Sequence, residues 1–197
     1  MDKLKLTIDG YKCFDKEYKF NFNNITLLTG ANSAGKSSVI QSLLLAKTVS
    51  ETIVDNPELE KIPLSLKTDK YAMDLGYFYD ISNANRDNYD INISLQDIPL
   101  DAKEEDNEED GNDVCFTIKS SDRLSLKKIF LQGFTYMCAD RMAPHYEYEY
   151  IKDATICDCH GINTGDIINN NDFLFKTDSR RSINYTEDIK LRRQLNE

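Results

Sequence analysis

Residues 30–38 read GANSAGKSS, and no other stretch narrows the folding choices of this chain so far. Two glycines five positions apart lead directly into Lys36, Ser37 and Ser38, meeting the spacing G-x-x-x-x-G-K-[ST] at every fixed position. A loop of this kind works between a rigid strand end and a helix N-terminus, because its amides must converge on one anion that the helix end also faces. Both flanks are legible. Residues 24–29 (NITLLT) form a short apolar run expected as a buried strand, and residues 36–50 place Val39, Ile40, Leu43, Leu44 and Ala46 at helical spacing. Strand, loop and helix in that order predict an α/β fold.

Each loop position has its own expected task. Gly30 and Gly35 permit backbone angles and close approaches that a Cβ blocks, so the amides of Asn32, Ser33 and Ala34 can gather around phosphate oxygens. Lys36 is expected to bridge the β- and γ-phosphates of a nucleotide. The Ser37 hydroxyl is expected to complete the coordination of Mg²⁺, and Ser38 to add a phosphate contact. The bland alternative is a glycine-rich turn that holds no ligand. No N-K-x-D guanine-reading motif follows the loop, and the clustered arginines of a kinase lid are not evident, so ATP is the expected nucleotide.

A length of 197 residues suits one well-cored domain or part of one. Hydrophobic content of 40%, with eleven Tyr and nine Phe, supports a packed core. No apolar run approaches the roughly 20 residues of a membrane-spanning helix, and the first residues lack a signal-peptide pattern, which predicts a cytoplasmic protein. The charge of −10 is concentrated in residues 101–113, DAKEEDNEEDGND, where eight acids face one lysine. Such a run repels itself and is expected as a solvated loop between two β segments. Nothing in this charge balance suggests a strong electrostatic footprint for nucleic acid, which needs Lys and Arg gathered on one face, so any DNA contact is expected elsewhere. Five cysteines at irregular spacing predict reduced thiols rather than a disulfide framework. Cys157, Cys159 and His160 make one dense group without a second ligand pair at zinc-site spacing.

Along the chain, residues 1–55 read as a β-hairpin (Leu4, Leu6, Ile8 against Tyr18, Phe20, Phe22), the phosphate-loop strand and the helix. Residues 56–133 read as a β-rich insert with strands at 89–95, 114–119 and 124–131. Residues 134–197 then open with FTYMCA (134–139), suited to a central strand buried on both faces, and include a helix expected at 186–195 behind Thr186.

These residues together resemble a family. The hairpin with YKCF at 11–14, then NNITLLTG, then a loop with Asn32 at its third position, is similar to the ABC/SMC-type branch of P-loop ATPases. More narrowly it resembles the bacterial ATPases grouped with the ATPase part of overcoming-lysogenisation-defect nucleases. Asp74-Leu75-Gly76 followed by Phe78 and Asp80, the ADR-x-x-P of 139–144, GINTGD at 161–166 and the LRRQLNE ending match that narrower pattern. The resemblance implies an ABC-ATPase-like N-terminal lobe, incomplete in this chain, with Mg²⁺ and ATP sandwiched between two ATPase domains in a homodimer or with a partner half. It also implies a nuclease effector or DNA engaged through parts not in this chain. Neither a signature serine-glycine segment nor an Asp-Glu strand end is found here. Without them, binding is expected to outlive turnover, and a non-hydrolysing nucleotide-binding interaction module is the alternative.

Other residues invite weighing. Asp140 ends an apolar run and reads as a magnesium-supporting aspartate, as a site-edge or dimer-edge residue together with Arg141, or as half of an Asp-Arg ion pair. Gln132 is a further candidate for the glutamine that contacts Mg²⁺ in this clan, whereas Gln41 reads as a surface residue. His145 and His160 have no nucleophile beside them in sequence, and the alternating Tyr146, Tyr148 and Tyr150 suit an exposed edge strand.

Overall fold

Apolar and polar residues alternate every second position in several short runs of the chain, and these runs build a sheet with one buried face. The computed structural model describes residues 3–86, 89–104, 113–130, 134–139, 158–161, 174–175 and 189–190. The chain divides into two units, Met1–Phe134 and Thr135–Glu197.

In the first unit, β1 (Leu4–Asp9), β2 (Tyr18–Phe22), β3 (Lys61–Ser65), β6 (Ile91–Leu95), β7 (Ile98–Glu104) and β8 (Asp113–Thr117) form a six-stranded sheet in the order β2-β1-β6-β7-β8-β3. Every pairing in it is antiparallel. Register joins Leu6 to Phe20 and Leu95, and Ile8 to Tyr18 and Ile93. The strands of the 56–133 segment therefore continue the N-terminal hairpin rather than standing apart from it. Leu6, Ile8, Ile93, Leu95, Leu100, Val114, Phe116 and Ile62 are wholly shielded on one face, each worth roughly 1.5–3 kcal/mol of burial. A short ribbon, β4 (Lys67–Thr68) with β5 (Met73–Asp74), and a one-turn helix α2 (Phe78–Ile81) complete the crossover.

The long helix α1 (Lys36–Asp55) turns Val39, Leu44, Leu45, Ala46, Val49 and Ile53 inward, with the small Ser42 and Ser50 on the same buried side. It ends at Asn56, whose N–H donates to the Thr52 carbonyl, one residue before Pro57. Helix α3 (Ser120–Phe130) packs against it.

Several expectations are corrected. Residues 24–29 are not a buried strand: they take no regular structure, and Ile25 and Leu27 are 91% and 83% exposed. An apolar run becomes a buried strand only with neighbours on its edges and faces, and none of the described residues supplies them. Within the segment expected as a strand at 124–131, residues 124–130 are helical instead, because Leu126 and Phe130 lie one helical turn apart and α3 buries both while leaving Leu124 exposed. Residues 134–139 form no strand, and Thr135, Met137 and Ala139 are exposed. In the second unit, Ile189–Lys190 (β10) pairs antiparallel with Leu174–Phe175 (β9), so the helix expected at 186–195 does not run through these two residues. The acidic stretch 101–113 is shorter as a loop than expected. Asp101 to Glu104 extend β7, with Ala102 in the core opposite Phe116 and the charged side chains outside. Gln132, Asp140, Arg141, His145, the tyrosines at 146, 148 and 150, Cys157 and 162–166 lie outside the described residues.

Candidate nucleotide-binding site

The phosphate loop ends where the glycine pattern places the start of a helix. Gly35 is the N-cap of α1 in a left-handed conformation (φ 87°), and Ser33 two residues earlier is also left-handed (φ 63°). No side chain caps this helix and no acidic residue occupies its first turn. Its first intrahelical bond runs from Val39 N–H to the Gly35 carbonyl at 3.0 Å, so the amides of Lys36, Ser37 and Ser38 precede the α-helical ladder. Those donors, at the positive end of a 20-residue helix, suit an anion.

Lys36 leans back over the loop. Its Nζ donates to the carbonyls of Gly30 (2.9 Å) and Ala31 (2.6 Å), which holds the ammonium above the loop's own backbone. Ser37 is exposed, Ser38 is mostly buried, and Asn32, Ser33 and Ala34 are exposed. A cavity of about 270 Å³ is lined by Lys12, Cys13, Ser33, Gly35, Lys36, Ser37 and Ser38.

Lys12 and Cys13 come from the YKCF turn of the hairpin, which sequence reasoning did not assign to the site. The turn is pinned from beneath by the segment after β5. Lys12 N–H donates to the Ile81 carbonyl (2.7 Å), Asn83 N–H to the Gly10 carbonyl (3.0 Å), and the Asn83 amide to the Lys12 carbonyl (2.6 Å). The DLG-x-F-x-D pattern builds that segment: Gly76 turns with φ 76°, its N–H meets Asp74 Oδ1 (3.2 Å), and Asp80 Oδ2 accepts from Tyr77 N–H (2.8 Å) to start α2. A motif noticed for its resemblance thus has a local mechanical task, to brace the turn that leans on the phosphate loop.

The Lys12 ammonium also donates to Gln41 Oε1 at 2.8 Å, so Gln41 is a half-buried positioning residue rather than plain surface. Burial pushes the Lys12 pKa down, and the neighbouring Asp80, then Cys13, offset part of that. Two cations, Lys12 and Lys36, therefore face one cavity beside uncapped amides. The signal for Lys12 was faint: a short break after Asp9-Gly10 before a second alternating strand shows a turn but not what the turn touches.

Left-handed glycine, uncapped helix start and overlying lysine define a P-loop chain of the α/β class. It belongs to the AAA domain family, whose model matches residues 5–196. Membership carries a nucleotide-binding, ATPase-like function. A search of curated proteins found no match. Among the described residues, no helix is long and apolar enough to cross a membrane.

Proposed function

We propose that this chain binds ATP with Mg²⁺ at residues 30–38 and acts as the nucleotide-holding lobe of an ABC/SMC-like ATPase. The observation that carries this reading is the start of α1, where Gly35, with no side-chain cap and no acidic residue in the first turn, opens the helix that Lys36 begins. The residues present fit a nucleotide polyphosphate. The amides of Gly35, Lys36, Ser37 and Ser38 would hold phosphate oxygens, with Asn32, Ser33 and Ala34 shaping the loop around them. Lys36 would exchange its two carbonyl partners for phosphate oxygens, and the exposed Ser37 hydroxyl would serve as the Mg²⁺ ligand. Bound Mg²⁺ and ATP supply a polarised γ-phosphoryl group.

In this reading, turnover requires groups that approach from another surface: a signature segment facing the loop and an acid that orients water. A homodimer or a partner ATPase half supplies that surface, in the cytoplasm, and the resemblance extends the role to DNA processing or defence against phage through a nuclease effector. Asp140 and Arg141 remain candidates for a site-edge or dimer-edge role, and Gln132 for the glutamine that contacts Mg²⁺. The second reading is a non-hydrolysing nucleotide-binding interaction module.

Calorimetry of the full chain with ATP and Mg²⁺ tests the binding claim, and absence of heat from ATP and from its non-hydrolysable analogues defeats it. Phosphate release at high protein concentration separates the two readings. Hydrolysis abolished by Ser37→Ala supports the ATPase, while tight binding with no release supports the module.

A further inference from the structure

The second unit brings together three soft ligands that the sequence keeps apart. Cys138, Cys159 and His160 place their Sγ, Sγ and imidazole nitrogen atoms all within 4.8 Å of one another, with both cysteines buried and the histidine half-buried. The Sγ of Cys138 lies 3.3 Å from His160 Nδ1. In tetrahedral zinc coordination, Zn–S near 2.3 Å and Zn–N near 2.0 Å separate sulfur from nitrogen by about 3.5 Å and sulfur from sulfur by about 3.8 Å. The Cys138–His160 separation is close to the first of those values, and the whole group lies within 4.8 Å. Sequence reading found only the dense group at 157–160, because Cys138 joins it from 21 residues upstream.

We propose that Cys138, Cys159 and His160 form a binding site for a borderline-soft divalent metal, zinc above all, with a fourth position for water or one further donor. The backbone is already organised for it. Cys138 N–H donates to the Cys159 carbonyl at 2.9 Å, clamping the two chain segments side by side, and His160 N–H donates to Asp158 Oδ1 at 2.8 Å, which fixes the turn carrying the imidazole. Gly161 closes this turn with φ 77°, its N–H reaching the Asp158 carbonyl at 3.2 Å. Two thiols and one imidazole select zinc over the hard cations that serve phosphate sites.

On binding a dication, the two S–H groups would release their protons to solvent, and both thiolates would share the metal as counter-charge. The metal would then link 134–139 to 158–161, two segments with no regular secondary structure of their own.

The test uses the full chain, purified under reducing conditions and stripped with a chelator, then titrated with cobalt(II). About one equivalent should develop thiolate-to-cobalt charge-transfer bands and the visible bands of tetrahedral cobalt, both displaced by zinc. Cys138→Ser and His160→Ala should each lose the bands, and Cys115→Ser should keep them. Differential alkylation of the unmutated chain needs no variant to fold: zinc should slow modification of Cys138 and Cys159 relative to the chelator-treated protein. Absence of cobalt bands, equal alkylation rates with and without zinc, or bands surviving the Cys138→Ser/Cys159→Ser double variant would each overturn the proposal. So would an intact mass two hydrogens short with Cys138 and Cys159 linked, which marks a disulfide instead.

Discussion

Gly35 lies directly under Cys13: a Cβ on this glycine would stand 2.6 Å from the cysteine Sγ and 2.9 Å from Cζ of Phe14. The phosphate loop and the YKCF turn are therefore one packed object, and the glycine is demanded twice, by its left-handed φ of 87° and by the turn above it. Gly35→Ala should cost about 2–5 kcal/mol, combining backbone strain with overpacking. Urea unfolding checks this, and Cys13→Ala in the same chain should recover only part of the loss, because φ stays unfavourable and the buried Phe14 ring stays in place.

Lys36 and Lys12 should differ in what they contribute to nucleotide binding. Lys36→Ala removes charge-assisted hydrogen bonds of about 1.5–3 kcal/mol, so affinity for ATP with Mg²⁺ should fall roughly ten- to hundredfold. Lys12 donates to Gln41 and lines the same cavity, so Lys12→Ala should weaken binding less and flatten its dependence on salt. Calorimetry at two salt concentrations measures both. Equal affinities for the parent and Lys36→Ala would remove the lysine from the site.

Leu27 and Leu100 provide a matched comparison. Leu27 is 83% exposed in the run before the phosphate loop, whereas Leu100 is fully buried in β7. Leu27→Ala should change stability by less than about 0.5 kcal/mol and Leu100→Ala by about 2–5 kcal/mol. A large loss from Leu27→Ala would show that this run is covered in solution.

Tyr11 is completely buried, and among the described residues its hydroxyl has no hydrogen-bond partner. Burial, reinforced by Cys13, drives its pKa upward, so the phenol stays neutral at all ordinary pH. Tyr11→Phe removes an unpaired polar atom while keeping the ring, and should raise stability by about 1 kcal/mol. A fall in the thermal midpoint would reveal a bonded partner for that hydroxyl.

Glu51 gathers three groups: Lys47 at 3.2 Å, Lys70 at 2.7 Å and the Tyr71 hydroxyl at 3.1 Å. Burial raises its pKa, but the hydrogen bonds and charges of Lys70 and Lys47 outweigh this and hold it below the ordinary 4.5. A carboxyl depressed in the folded state stabilises above its unfolded pKa, and that contribution disappears as pH falls through the folded value. Acid unfolding curves of Glu51→Gln should therefore lie below the parent at neutral pH and converge with it as pH drops beneath 4.5. Parallel curves throughout would remove the charge from the account.

The features written in local chemistry were legible in the sequence. The G-x-x-x-x-G-K-[ST] spacing located the start of α1 at Lys36, and alternation in β1 showed that Leu6 and Ile8 face the core, because both signals depend on covalent geometry and a period. Residues 124–131 misled because Leu124, Leu126 and Phe130 fit either period until Leu126 and Phe130 are seen to share one helical face. The runs at 24–29 and 134–139 misled differently: apolar composition states what a segment tolerates, while burial depends on which neighbours reach it. Lys12 beside Lys36, and Cys138 beside His160, are products of tertiary folding that no spacing rule reports.

The pairing of β1 with β6 also shapes how the protein is made. At about 5–20 residues per second, the N-terminal hairpin leaves the ribosome on the order of ten seconds before Leu95 can meet Leu6. During that interval one side of the hairpin is an open ladder of amides and carbonyls, a template for any passing strand. The exposed Lys5 and Lys19 stand on these two strands as charged sentries, so exchanging them for neutral residues should cost yield in the cell before it costs anything in the finished fold.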